Sequence, residues 1–108
     1  MLEALFGNQN IERVLFYLLR NGEAYASAMA TAFGSTTTPI QRQLARLESG
    51  NVVVSRLIGR TRVYQINPRY PFKKELELFL EKAFQALPEG QAQKIYARRN
   101  RPRRAGKP

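Results

Sequence analysis

The sequence predicts a single, mainly α-helical domain with one β-hairpin. Four segments have apolar residues at helical spacing, and one segment rich in β-branched residues is divided by a glycine, Gly59. With 108 residues the chain has room for one domain of ordinary size. We place the end of that domain at Pro88, so that residues 1–88 form the domain and residues 89–108 form a basic tail.

The first predicted helix begins after Asn8 or Asn10, since either side chain is a suitable N-cap, and it ends at Gly22. Phe16 and Tyr17 lie outside its main apolar stripe, so the helix is apolar on nearly every side. We therefore expect more than one neighbouring element to cover it. The stripe itself consists of Ile11, Val14, Leu15, Leu18 and Leu19.

A second, short helix is predicted from about Ala26 to Phe33, with Tyr25, Met29 and Phe33 on one face. Gly34 ends this helix. Only one or two residues then separate Gly34 from the start of the next helix. The chain must therefore turn sharply between the two helices.

The third predicted helix has two possible starts. Thr38 as N-cap would place Pro39 at the first helical position and Gln41 at the third, where its side chain can complete a capping box. Thr36 is a competing N-cap two residues earlier, and Gly50 ends the helix in either case. The residues expected to face the core are Ile40, Leu44 and Leu47.

A β-hairpin and a fourth helix complete the predicted domain. Residues 51–58 and 62–67 are typical of strands, and a glycine-containing loop of about three residues, 59–61, joins them. The fourth helix follows Pro71 and ends before Pro88. Its broad apolar stripe contains Phe72, Leu76, Phe79, Leu80, Ala83, Phe84 and Leu87.

This order of elements predicts a winged helix-turn-helix fold, in which the hairpin is the wing. The third helix also has residue types that bind DNA on the side away from its core residues. Arginine can bind guanine through two hydrogen bonds, glutamine can bind adenine, and threonine can contact phosphate or the thymine methyl group. By helical geometry that side presents Thr38, Gln41, Arg42, Ala45 and Arg46.

Over roughly residues 2–87 the sequence resembles the winged helix-turn-helix regulators of the ArsR/MarR-like bacterial type. The resemblance implies that the third helix enters the major groove and that the wing contacts the DNA backbone or minor groove. Because this chain has no Cys or His, it lacks the ligands of the metal-sensing members. The matching residues are Met29, Ala30, Gly34, Ile40, Leu44, Leu47, Glu48, Gly50 and residues 59–64. The implied DNA-binding residues are Thr36, Thr37, Thr38, Gln41 and Arg42 on the helix and Arg60 and Arg62 on the wing.

The net charge also favours a polyanionic partner. Eighteen Lys and Arg against eight acidic residues give a net charge of +10, and double-stranded DNA is the partner we expect. Seven of the basic residues and none of the acids lie in residues 91–108. We expect this tail to be flexible and to add contacts to nucleic acid.

Several function classes are disfavoured. Without Cys and His the chain has no thiolate or imidazole metal ligand and no Ser-His or Cys-His pair. Without Asp as well, its general bases are limited to Glu, Lys and Tyr, so we expect no enzymatic activity, metal or cofactor. No apolar stretch approaches the length that spans a bilayer, and the N-terminus does not resemble a secretory signal. We expect a cytoplasmic protein without membrane contact; the sequence does not indicate a small-molecule effector.

The apolar residues at the two ends of the domain exceed what a three-helix core should bury. We expect them to form a homodimer interface, because symmetric operators match symmetric proteins. The alternative is that the fourth helix packs back on its own domain. The expected interface residues are Leu2, Leu5, Phe6, Phe72, Leu76, Phe79, Leu80, Ala83 and Leu87.

The function predicted from the sequence is a DNA-binding transcriptional regulator that represses by occupying its operator. Two alternatives stay open. One is a nucleic-acid-binding module without sequence preference, acting on RNA or as an architectural protein. The other is a protein-interaction adaptor with a winged-helix fold. Preference for one duplex over bulk DNA separates the first from the second, and weak binding to any duplex indicates the adaptor.

Overall fold

The computed structural model describes residues 1–88 and Gly90; the rest of the predicted tail at 89–108 lies outside the described residues. The described part forms a mixed α/β domain of five helices and a three-stranded antiparallel sheet. None of the helices described is long and apolar enough to cross a bilayer. The helices are α1 (Glu3–Phe6), α2 (Gln9–Asn21), α3 (Ala26–Phe33), α4 (Thr37–Ser49) and α5 (Lys73–Gln85). The strands are β1 (Glu23–Tyr25), β2 (Val53–Ile58) and β3 (Thr61–Ile66).

Helix α2 begins and ends where the sequence predicts. Of the two candidate N-caps, Asn8 is the one used, because its Oδ1 accepts a hydrogen bond of 2.8 Å from the backbone N–H of Ile11. The helix ends at Gly22, whose φ of 84° lies in the region that glycine adopts without strain. Asn8 also donates through Nδ2 to Oε1 of Gln43 at 2.9 Å, which ties the start of α2 to α4.

The expectation that α2 is covered on more than one side is confirmed. Phe16 is completely buried and Tyr17 nearly so. Phe16 packs edge-on against Phe84 of α5, whereas Tyr17 packs edge-on against Phe33 of α3, with ring centroids 5.8 Å apart in each pair. Helix α2 is therefore the common support of α3, α4 and α5.

Helices α3 and α4 are joined by the short turn that the sequence predicts. Gly34 has a φ of 68°, and the N–H of Ser35 donates to the carbonyl of Ala30 at 2.9 Å. This left-handed turn lets α4 leave α3 after only three residues. The predicted core residues of α4 are all buried: Ile40, Leu44 and Leu47.

The start of α4 settles the choice between its two predicted N-caps. Thr36 occupies the N-cap position, and Thr37 and Thr38 are already helical. Thr38 as N-cap is therefore wrong, and so is Pro39 at the first helical position. Pro39 is instead third in the helix, where its missing N–H removes no hydrogen bond because the first turn has no internal acceptor.

The sheet contains a strand that the sequence analysis did not predict. Strand β3 lies between β2 and β1, and all pairs are antiparallel. The prediction that Tyr25 extends a helical face is wrong, because Tyr25 is the last residue of β1, pairs with Val63 and is 38% exposed. The hairpin turn is also shorter than expected: Ile58 pairs with Thr61, which leaves a two-residue turn.

Helix α5 packs on α2 of the same chain through a fully buried Leu80. At the N-terminal end, the buried carboxylate of Glu12 accepts hydrogen bonds from the Leu2 N–H at 2.7 Å and the Met1 ammonium group at 3.2 Å. These bonds compensate for burying a charge, and they hold Leu2 in the core. Because α5 packs on α2, the alternative in which the fourth helix packs against its own domain is the arrangement observed.

Candidate nucleic-acid interface

The outward face of α4 consists of polar and basic side chains. Thr38, Arg42 and Arg46 are exposed on the side of the helix opposite the core residues. The described part of the chain provides no ion pair for either arginine. The first turn of α4 has no acidic residue, so its free N–H groups favour an approaching anion. This face can bind a polyanion without first breaking an internal contact.

A cleft of about 310 Å³ separates α4 from the hairpin, and we call it the α4–hairpin cleft. Four of the predicted DNA-binding residues meet there. Thr37 and Gln41 line it from α4, while Arg60 and Arg62 line it from the hairpin. The other predicted DNA-binding residues, Thr36, Thr38, Arg42 and Arg46, do not line the cleft but are exposed on or beside α4. The remaining lining residues are Tyr25, Ala26, Ser27, Thr61 and Tyr64.

A chain of two hydrogen bonds connects α4 to the hairpin next to this cleft. Ser55 Oγ donates to Glu48 Oε2 at 2.7 Å, and Arg62 Nη1 donates to the same Ser55 Oγ at 2.9 Å. The side chain of Glu48, the acidic residue of α4, is thereby directed to the hairpin. The contact fixes the hairpin relative to the helix and restrains the Arg62 guanidinium while leaving it exposed.

Tyr64 belongs to the cleft although the sequence analysis did not select it. It pairs with Ser55 across β2 and β3, so both side chains lie on the face of the sheet that meets α4. Burial, with a smaller contribution from the negative charge of Glu48, raises the pKa of the Tyr64 hydroxyl above its ordinary value of 10.0. Tyr64 therefore stays protonated at neutral pH and can donate a hydrogen bond to an anion.

The opposite face of the hairpin differs in its electrostatics. Arg56 is on that face and forms an ion pair with Glu23 of β1 at 2.9 Å. Arg60 and Arg62, in contrast, lie on the side of the cleft and have no acidic side chain within ion-pair distance in the described residues. The two hairpin arginines without an ion pair among the described residues therefore lie on the side that α4 shares with the hairpin.

A second cavity of about 330 Å³ lies between α2, α3 and β1. Tyr25 lines both this cavity and the α4–hairpin cleft. The other residues around the second cavity are Tyr17, Asn21, Glu23, Ala24, Ala28 and Val63.

In the described part of the chain, no cluster of three or more His, Cys, Asp or Glu side chains is placed to hold a metal ion.

The residues predicted to form a dimer interface fall into three groups. Leu2 and Leu80 are buried in the core of the single chain, so their burial requires no partner. Phe6, Leu76, Ala83 and Leu87 are partly buried against that core. Leu5, Phe72 and Phe79 stay 69%, 61% and 41% exposed, respectively. Phe79 packs edge-on against Phe6, with ring centroids 6.4 Å apart, so α1 and α5 contact each other. We call the exposed Leu5, Phe72 and Phe79 the apolar surface on α1 and α5.

No protein-family model matches the chain, and the search of curated proteins found no similar sequence. The features of the molecule that bear on its function are therefore the α4–hairpin cleft, the outward face of α4 and the apolar surface on α1 and α5.

Proposed function

We propose that this protein is a DNA-binding transcriptional regulator with a winged helix-turn-helix fold of the ArsR/MarR-like type. Helices α3 and α4 are its helix-turn-helix, α4 is the recognition helix, and the β2–β3 hairpin is its wing. The observation that best supports this proposal is the α4–hairpin cleft. Its walls bring Thr37 and Gln41 of the helix together with Arg60 and Arg62 of the wing.

The recognition helix distinguishes base pairs through the side chains on its outward face. Arg42 is free to form two hydrogen bonds with guanine, and Gln41 can pair in the same way with adenine. Thr38, at the start of the helix, contacts a phosphate or a thymine methyl group. Because none of these residues has a structural role in the core, they are available for sequence recognition.

The wing anchors the protein on the DNA backbone. Arg60 lies in the tight turn and Arg62 in β3, where Ser55 holds its guanidinium at 2.9 Å. A restrained guanidinium loses less side-chain entropy when it binds phosphate. Tyr64 adds a neutral donor between the wing and α4. Contacts of this kind fix the orientation of the protein but do not select a sequence.

We further propose that the protein binds its operator as a homodimer. The apolar surface of Leu5, Phe72 and Phe79 would be covered by the same surface of a second copy, which gives a two-fold symmetric pair. Such a pair would present two α4 helices one DNA turn apart, about 34 Å, and occupancy of the operator would repress transcription.

Selection from random duplexes tests the proposed function. The protein is mixed with the pool at fixed salt, and the retained duplexes are sequenced. We expect an inverted repeat whose half-site centres lie about 10 base pairs apart. The Arg42→Ala variant, selected in parallel, should lose preference at one or two positions in each half-site. Retention without enrichment would indicate a non-specific nucleic-acid binder, and no retention at low salt would indicate an adaptor.

A further inference from the structure

The tip of the hairpin has two large apolar side chains in solvent. Leu57 and Ile58, the last residues of β2, are 60% and 47% exposed. Successive residues of a strand point to opposite faces, so the two side chains cover both faces of the tip. Neither belongs to the apolar core or to the partly buried residues packed against it. The fold itself gives no reason for their apolar character.

Basic side chains surround this apolar tip. Leu57 pairs with Arg62 and therefore shares a face with it, while Arg60 stands in the turn. Gly59 has a φ of 63°, which allows the tight two-residue turn that places Ile58 and Thr61 at the very end of the ribbon. The tip thus combines an apolar end with guanidinium groups beside it. That combination fits a target with phosphates flanking an apolar interior.

We propose that Leu57 and Ile58 form a wedge that enters the minor groove of DNA and partly separates two stacked base pairs. This inference rests on the proposed function and extends it to the shape of the bound DNA. Proteins that bind the minor groove frequently insert Leu or Ile between base steps, which bends the duplex toward the major groove. Arg60 and Arg62 would bind the phosphates on either side of the insertion.

The dimensions favour insertion of the tip alone. The minor groove of B-DNA is about 6 Å wide, whereas two paired strands are about 4.8 Å apart before their side chains are added. The ribbon is therefore too wide to lie in an undistorted groove. Apolar side chains at its end can enter, and the groove widens as the bases separate. Flexible pyrimidine–purine steps would be preferred because they kink most easily.

The test compares the wild-type chain with Leu57→Ser, Ile58→Ser and the double variant on the duplex that the selection enriches most strongly. Arg60→Ala is the matched control, since it changes the same tip without removing apolar surface. DNA bending is measured by energy transfer between dyes on the two duplex ends. Unstacking is measured with 2-aminopurine placed at successive positions under the expected wing contact.

We expect the wild-type chain to bend the duplex and to raise 2-aminopurine fluorescence at one step in each half-site. The double variant should lose both signals and bind about tenfold more weakly, but keep the salt dependence of the wild type. Arg60→Ala should bind more weakly and show a shallower salt dependence, but at saturating protein it should retain the fluorescence signal. Circular dichroism confirms that each variant is folded.

The outcomes separate this inference from the proposed function. A wild-type chain that retains no duplex overturns both proposals. A wild-type chain that binds its duplex with the same bend, fluorescence and affinity as the double variant overturns the wedge alone. Concentration-dependent self-association of the free wild type that the double variant abolishes also overturns the wedge, because the tip would then be a contact between copies of the chain.

Discussion

Replacing Arg42 with Ala tests the central residue of α4, the proposed recognition helix. The side chain is exposed and has no ion pair among the described residues, so its loss should change the free energy of unfolding by less than about 0.5 kcal/mol. If Arg42 binds guanine through two hydrogen bonds, the best duplex should lose about 1–3 kcal/mol of binding free energy. That range corresponds to a roughly 5- to 150-fold larger dissociation constant.

The matched control is Arg56→Ala, which removes the same charge from an exposed arginine on the opposite face of the hairpin. Its ion pair with Glu23 is a surface contact at 2.9 Å, and such contacts contribute about 0–1 kcal/mol to stability. Fluorescence anisotropy at one salt concentration gives both affinities, on the selected duplex and on a scrambled one. If Arg42→Ala binds both duplexes as Arg56→Ala does, α4 is not the recognition helix.

Three further experiments test the basic charge, the contact between α4 and the hairpin, and the exposed apolar residues of α1 and α5. First, if about six to ten phosphates are neutralised, the affinity for DNA should fall roughly 10³- to 10⁵-fold between 50 and 200 mM salt, and an affinity independent of salt would refute the electrostatic attraction. A chain without residues 91–108 should keep its unfolding transition and show a smaller dependence of affinity on salt. Second, Ser55→Ala removes both hydrogen bonds that join Glu48 to Arg62 and should lower the free energy of unfolding, measured with denaturant, by about 1–3 kcal/mol. An unchanged transition would show that this contact does not hold the hairpin. Third, Phe79→Glu should sediment as a folded monomer and should bind the operator weakly. A wild type that already sediments as one chain of 12.4 kDa at micromolar concentration would contradict the dimer.

The helices could be predicted from the sequence because their apolar residues have a clear period. In α4, Ile40, Leu44 and Leu47 define the buried side, and this also fixes which residues face outward. Gly34 marks the turn before α4 for a local reason, since its backbone conformation disfavours other residues. Where one hydrophobic period or one residue type determines the local structure, that structure can be predicted from the sequence.

The parts of the site that sequence analysis missed depend on contacts between distant segments. Strand β1 has three residues, too few to show an alternating pattern, and it exists because β3 pairs with it. Glu48 and Ser55 bond across the junction of α4 and β2, and no periodicity indicates such a pair. Tyr64 could have been found from the alternation in β3, once the hairpin register was assigned from a two-residue turn.

The apolar residues of α5 could be recognised from the sequence, but the surface that covers them could not be predicted. A wide apolar stripe indicates that a helix is covered, but the same stripe fits a partner chain and the helix's own domain equally well. In this structure Leu80 is buried against α2, while Phe72 and Phe79 stay exposed. The stripe thus divides into a side that the fold covers and an edge that is free for a partner.

The most direct test of the proposed function is NMR chemical-shift mapping of the full chain as a selected duplex is added at fixed salt. We predict that the amide signals of residues 36–46 in and before α4, and of residues 57–64 in the hairpin, shift together as the duplex binds. The signals of α5 should not change between the free and the DNA-bound protein. Shifts confined to α1 and α5, with residues 36–46 unchanged, would contradict the assignment of this surface as the DNA-binding site.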